Sequence, residues 1–112
     1  MAKDDYFVLA YRILAYLYAC LKAGEQSDLK HICAEELGIT PNYWEYIMRH
    51  LHQEGFIEGI FVVNVIGRAT PQIKLTPATM ITPKGIEFLE NNSTMAKAKN
   101  FLKTLKETIP GL

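Results

Sequence analysis

Thr40-Pro41-Asn42-Tyr43-Trp44-Glu45-Tyr46-Ile47-Met48-Arg49-His50-Leu51-His52-Gln53-Glu54-Gly55-Phe56-Ile57-Glu58-Gly59 is the stretch whose reading decides the fold. Thr40 can cap a helix with its hydroxyl, and Pro41 suits the first turn, where a missing N–H costs nothing. Apolar residues recur at Tyr43, Trp44, Ile47, Met48 and Leu51, the spacing of one buried helical stripe. Asn42, Glu45, Tyr46, Arg49 and Gln53 fall between them and are expected to face outward. Gly55 is expected to stop the helix, and Phe56 and Ile57 open an alternating, β-branched run. The chain thus passes from a capped helix straight into a strand.

Upstream, Asp4 or Asp5 can cap a first helix that runs to about Ala23 and stops at Gly24. Ile13, Leu14, Leu17 and Leu21, extended backwards by Phe7 and Ala10, form its expected core stripe. The opposite face carries Val8, Tyr11, Ala15 and Tyr18 where a surface helix would carry charge. Such a helix is covered on more than one side. Ser27 or Asp28 is expected to cap a second helix with Leu29, Ile32, Cys33 and Leu37 inward. Gly38-Ile39-Thr40 then makes a three-residue turn between helices, the helix-turn-helix pattern.

Downstream, residues 56–66 read as a strand with Ile57, Gly59, Phe61, Val63 and Val65 on the inward face. The second face of Glu58, Ile60, Val62, Asn64 and Ile66, polar first and apolar later, can be covered as well. Residues 67–72 form a turn, and residues 73–82 return. Pro77 restricts the returning strand to a sheet edge or a bulge. Thr82-Pro83 repeats the Thr-Pro helix start, with Ile86 and Leu89 inward in two turns. Beyond Asn91-Asn92, the residues Met95, Ala98, Leu102, Leu105 and Ile109 step by three and four, the rhythm of a packed helical seam that Phe101 widens. Residues 1–92 are therefore expected to form one domain. Residues 93–112 are expected to form a helix packed on the first helix or on a partner in a homodimer.

Composition narrows the function classes. The 112 residues fit a single domain, and the formal net charge of zero supplies no global field toward nucleic acid or lipid. Residues 1–54 hold eight acids against five bases, whereas residues 91–112 hold four lysines against Glu107. Cys20 and Cys33, thirteen positions apart, have no metal-ligand spacing and read as two buried, reduced thiols. The N-terminal sequence has no cleavage signal, and the apolar residues 6–21 include Arg12 and four tyrosines. A cytoplasmic location is the expectation, with no membrane, cofactor, metal or small-molecule ligand. No nucleotide-binding glycine loop, GxSxG, HExxH or DxDxDG occurs, and the paired carboxylates Asp4-Asp5 and Glu35-Glu36 point apart on helices, so catalysis is not expected.

The order helix, helix, turn, helix, hairpin, helix resembles the winged-helix group, an α+β, mainly helical fold. The segment Leu37-Gly38-Ile39-Thr40 through Leu51 and Gly55-Phe56-Ile57 carries that likeness. The run Ile81-Thr82-Pro83-Lys84-Gly85-Ile86-Glu87-Phe88-Leu89-Glu90-Asn91-Asn92-Ser93 is similar to the YjcQ-like family of small bacterial and phage winged-helix proteins. The resemblance implies that fold, a prokaryotic or prophage setting and a nucleic-acid role, and it supplies no catalytic residues.

The expected role is a DNA-binding regulator acting on double-stranded DNA. Asn42 can pair with adenine and Arg49 with guanine, Tyr46 can reach phosphate or stack, and Gln53 shares their face. Arg68 at the hairpin tip, with Lys74 behind it, suits minor-groove or phosphate contact, and Lys30 can clamp phosphate. Glu45 and Glu54 on the same helix argue against this. The alternative is a protein-interaction module on the same scaffold, with Tyr43, Trp44 and Tyr46 as an aromatic patch.

Overall fold

A first helix, α1 (Tyr6–Ala23), is the spine of this computed structural model, against which the later helices and the returning strand of the hairpin pack; residues 2–93 are described. Nine of its residues are buried, from Val8 to Cys20, and all of them but Val8 meet the other elements in one continuous core. The buried arc is wider than the expected stripe. Val8 and Tyr11 are inside, while Phe7 is 56% and Leu21 43% exposed. Both exposed residues sit in the terminal turns of α1, so the helix is enclosed around its middle and open at its ends. By length and composition α1 could cross a membrane, with a mean hydropathy of 1.3, yet half of it is buried inside the fold.

The expected second helix is divided. A 3₁₀ turn (Leu29–Ile32) is followed by Cys33 in extended conformation and then by α2 (Ala34–Leu37). Asp28 caps the turn by accepting the Lys30 N–H at 3.1 Å, while the Ser27 hydroxyl donates to the Thr79 carbonyl. The break has a side-chain cause. The Trp44 indole N–H donates to the Ile32 carbonyl at 2.7 Å, and the Cys33 thiol donates to the Lys30 carbonyl at 3.2 Å. Carbonyls that would continue a helical ladder are spent on side chains instead.

The central helix α3 (Pro41–Gln53) begins as read: the Thr40 hydroxyl accepts the Tyr43 N–H at 3.3 Å. Ile47, Met48 and Leu51 are fully buried, and Tyr43 and Trp44 lie half-buried against the core. The ends of α1, α2 and α3 share one pattern. At α3, the Gly55 N–H donates to the His52 carbonyl and the Phe56 N–H to that of Leu51; Gly24-Glu25 and Gly38-Ile39 repeat it. That doubled reverse bond satisfies the last orphan carbonyls of each helix.

Strands β1 (Ile57–Val63) and β2 (Gln72–Ile81) form an antiparallel hairpin, shorter in its first strand than residues 56–66. Ile57 pairs with Ile81 and Glu58 with Met80, but Ile60 pairs with Leu75. One residue of β1, Gly59, therefore faces residues 76–79, where Pro77 sits in the bulge. The Thr76 and Thr79 hydroxyls both donate to the Gly59 carbonyl, at 2.6 and 3.1 Å. A bulge re-aims every side chain beyond it. The expected inward face of Phe61, Val63 and Val65 is thereby lost: Ile60 packs on the core, and Phe61 is 64% exposed.

Helix α4 (Pro83–Asn91) starts at Thr82, whose hydroxyl accepts the Gly85 N–H and donates to the Gly55 carbonyl, tying α4 to the end of α3. Leu89 is buried, and Ile86 is half-buried. The layout is α+β, mostly helical and winged-helix-like, with the hairpin as the wing. The seam Met95, Ala98, Phe101, Leu102, Leu105 and Ile109 lies outside the described residues.

Candidate nucleic-acid interface

Asn42, Tyr46, Arg49 and Gln53 stand on one face of α3, at spacings of four, three and four. Asn42, Tyr46 and Gln53 are exposed and Arg49 is half-buried, its guanidinium carbon 5.8 Å from the centre of the Tyr46 ring. Lys30 is exposed on the 3₁₀ turn, and Lys74 is exposed on β2, opposite Phe61. Arg68 is brought to α3 itself. Its Nη2 lies 2.8 Å from the Glu45 Oε1, across 23 residues of sequence, so the wing is clasped to the central helix.

The wing tip is a tight turn in which the Arg68 N–H donates to the Val65 carbonyl at 3.1 Å. Gly67 occupies its third position with φ of 89°, the conformation a type II turn requires there. Ile66 stands at the apex, fully exposed, and Phe61, Val62, Val63 and Val65 are exposed along the approach.

A chain of aromatic rings crosses the other flank of α3. Tyr46 lies 4.1 Å from His50 and 6.1 Å edge-on from Tyr6. Tyr6 meets Phe7 at 5.1 Å, Phe7 stacks on Phe88 at 6.5 Å, and Phe88 meets Phe56 at 5.2 Å. Helical spacing reveals Tyr46 but not this chain, because its rings come from four separate segments. The exposure of Phe7 is the feature that sequence reasoning assigned to the core.

The charge around α3 is acidic. Burial raises the Tyr43 phenol above its ordinary pKa, and the nearby Asp4 and Asp5 carboxylates add to the shift; its hydroxyl donates to the Asp4 carbonyl at 2.7 Å. Burial likewise raises Tyr6, helped by Tyr46, Glu54 and Tyr43. Asp4, Asp5, Glu45 and Glu54 thus border the helix. The wing is more basic: residues 57–81 contain Arg68 and Lys74 against Glu58 at the base of β1.

Among the described residues no group of three His, Cys, Asp or Glu side chains could hold a metal, and Cys20 and Cys33 are free. A shallow hollow of about 250 Å³ lies between Cys33, Trp44, Glu45 and Ile73. It is smaller than the roughly 300–1,000 Å³ of pockets that enclose drug-sized ligands.

A model of the YjcQ protein family matches residues 11–108. The chain belongs to the YjcQ family. No curated protein and no solved structure matches it. The family match spans α3, the wing and α4, so Lys30, Asn42, Tyr46, Arg49, Gln53, Arg68 and Lys74 lie within it, while Tyr6 and Phe7 of the aromatic chain lie before it. It assigns none of them a role.

Proposed function

We propose that this YjcQ-family chain is a small cytoplasmic DNA-binding regulator of phage or prophage origin that works as a homodimer by binding rather than catalysis. The reading is carried by the pairing of a capped helix, exposing Asn42, Tyr46, Arg49 and Gln53, with a hairpin clasped beside it through Arg68 and Glu45. A helix of this kind can enter the major groove while the adjoining hairpin lies on the flanking backbone.

Fluorescence anisotropy on an enriched and a random duplex at two salt concentrations tests it. Arg49→Ala is expected to cost about 1–3 kcal/mol on the enriched site and to relax preference at one base pair. Arg68→Ala is expected to weaken both duplexes alike, lowering the salt slope by about 0.9 for one lost phosphate contact. Glu45→Gln is expected to strengthen binding to both. Absence of salt-sensitive binding to either duplex refutes the proposal.

A second reading is favoured by one observation, the aromatic chain that runs from exposed Tyr46 through half-buried Tyr6 to exposed Phe7. Rigid aromatic area of this kind anchors protein partners. Under that reading the partner is a protein, and its complex survives high salt.

A further inference from the structure

The acidic border of α3 and the more basic wing divide the labour of any DNA contact unequally. Five of the large apolar residues left exposed, Phe61, Val62, Val63, Val65 and Ile66, lie on the wing between positions 61 and 66. Single exposed apolar residues need no explanation, but a contiguous run on one projecting element does. Ile66 is fully exposed and stands at the apex of a hydrogen-bonded turn, so its side chain projects from a fixed point. The clasp between Arg68 and Glu45 then fixes that turn relative to α3.

We propose that Ile66 is a wedge that enters the minor groove and partly unstacks one base step, kinking the duplex. The proposal rests on the DNA-binding reading and deepens it by naming what the wing does. The charge beside the apex favours nucleic acid as occupant: Arg68 and Lys74 flank the apolar run, the wing's acid Glu58 lies at the base of β1 away from the apex, and the Glu45 carboxylate is taken up by Arg68. Apolar wedges of Ile, Leu, Phe or Met pry open base steps and bend DNA by about 20–90°. The cost of unstacking is lowest at pyrimidine–purine steps, which are easily kinked, and high in stiff A-tracts. Recognition then comes in part from deformability, which explains how a helix with Arg49 as its one arginine or lysine could still be selective.

The test uses the full chain and two short duplexes, one with a central TA step carrying 2-aminopurine and one with an A-tract, each also labelled at its ends for energy transfer. The expected result is a several-fold rise in 2-aminopurine fluorescence and a bend on the TA duplex, with neither on the A-tract. Ile66→Ser is expected to abolish both signals and weaken binding to the TA duplex by about tenfold, or about 1.4 kcal/mol. The same variant should leave A-tract affinity and the salt slope unchanged, and Ile66→Phe should keep the signals. Because Ile66 touches no core residue, neither variant threatens the fold. Salt-sensitive binding with a straight duplex and unchanged fluorescence overturns the wedge while leaving DNA binding intact. No binding to either duplex overturns both. Ile66-dependent binding to anionic phosphatidylglycerol vesicles in that case assigns the tip to a lipid surface instead.

Discussion

Gly59→Ala is the sharpest test of how the wing is aimed. Gly59 has φ of 78°, where an L side chain costs roughly 1–2 kcal/mol. A Cβ at this position would lie 2.2 Å from the Ala78 carbonyl oxygen and 2.6 Å from its carbon. Both are backbone atoms, so no rotamer change relieves the overlap, and the strands must part by about 1 Å to restore ordinary contact. Parting them also loosens the Thr76 and Thr79 hydroxyls from the Gly59 carbonyl, each worth about 0.5–1.5 kcal/mol. The expected loss is about 2–4 kcal/mol, a large share of the roughly 5–15 kcal/mol that holds a domain together. Gly67→Ala provides the internal control. Its φ is 89°, but nothing lies within 4 Å of the added carbon, so only the backbone cost of about 1–2 kcal/mol applies. Urea titrations followed by Trp44 fluorescence, the single tryptophan, give both values from the shift in midpoint. If Gly59→Ala comes within about 0.5 kcal/mol of Gly67→Ala, close strand approach is not what demands glycine at the bulge.

Two further outcomes follow from buried polar contacts. Trp44→Phe should destabilise by about 1–3 kcal/mol, because it leaves the Ile32 carbonyl without its donor; a urea midpoint unchanged by circular dichroism would contradict that. Tyr16 is buried, and burial first, then its hydrogen bond with Cys20, pushes its phenol up to about 12. Since the unfolded phenol ionises near 10, stability should be full below pH 10 and fall as pH rises from 10 toward 12. Tyr16→Phe should flatten that fall in alkaline melting curves; an equally steep decline in the variant would assign it elsewhere.

Local chemistry explains which parts of the fold were legible. The caps at Thr40 and Thr82, the stops at Gly24, Gly38 and Gly55, and the bulge at Pro77 depend on residues within a few positions of one another. Each was readable from the chain. The second helix was misread because its break is imposed from a distance: the Trp44 indole reaches back twelve residues to take the Ile32 carbonyl. The face of β1 was misread for a related reason. Alternation has a period of two, so a single bulge at Gly59 moves Phe61 from the core face to solvent. Phe7 and Leu21 fit the stripe of α1, but periodicity specifies a direction and not whether a neighbour extends far enough to cover it.

The candidate site was half legible, and the missing half changes its electrostatics. Periodicity placed Asn42, Tyr46, Arg49 and Gln53 together because they share one helix. It treated Arg68 as a contact for phosphate and Glu45 as a charge opposed to it, since a 23-residue separation hides their meeting. Joined at 2.8 Å, the two offset one another's charge in the free protein, and the pair holds the wing tip against α3. The pair is partly solvated, with the Arg68 side chain 33% and Glu45 17% exposed, so its contribution to folding is at the level of about 0–1 kcal/mol. Such a bond is too weak to hold the domain together but sufficient to choose among hairpin orientations of similar energy. A weak clasp is also one that a phosphate can replace, since a charge-assisted bond to Arg68 would then substitute for the one to Glu45. The cation that read as a DNA contact therefore has a second task in the free protein, which is to keep the apolar tip pointed before any duplex arrives.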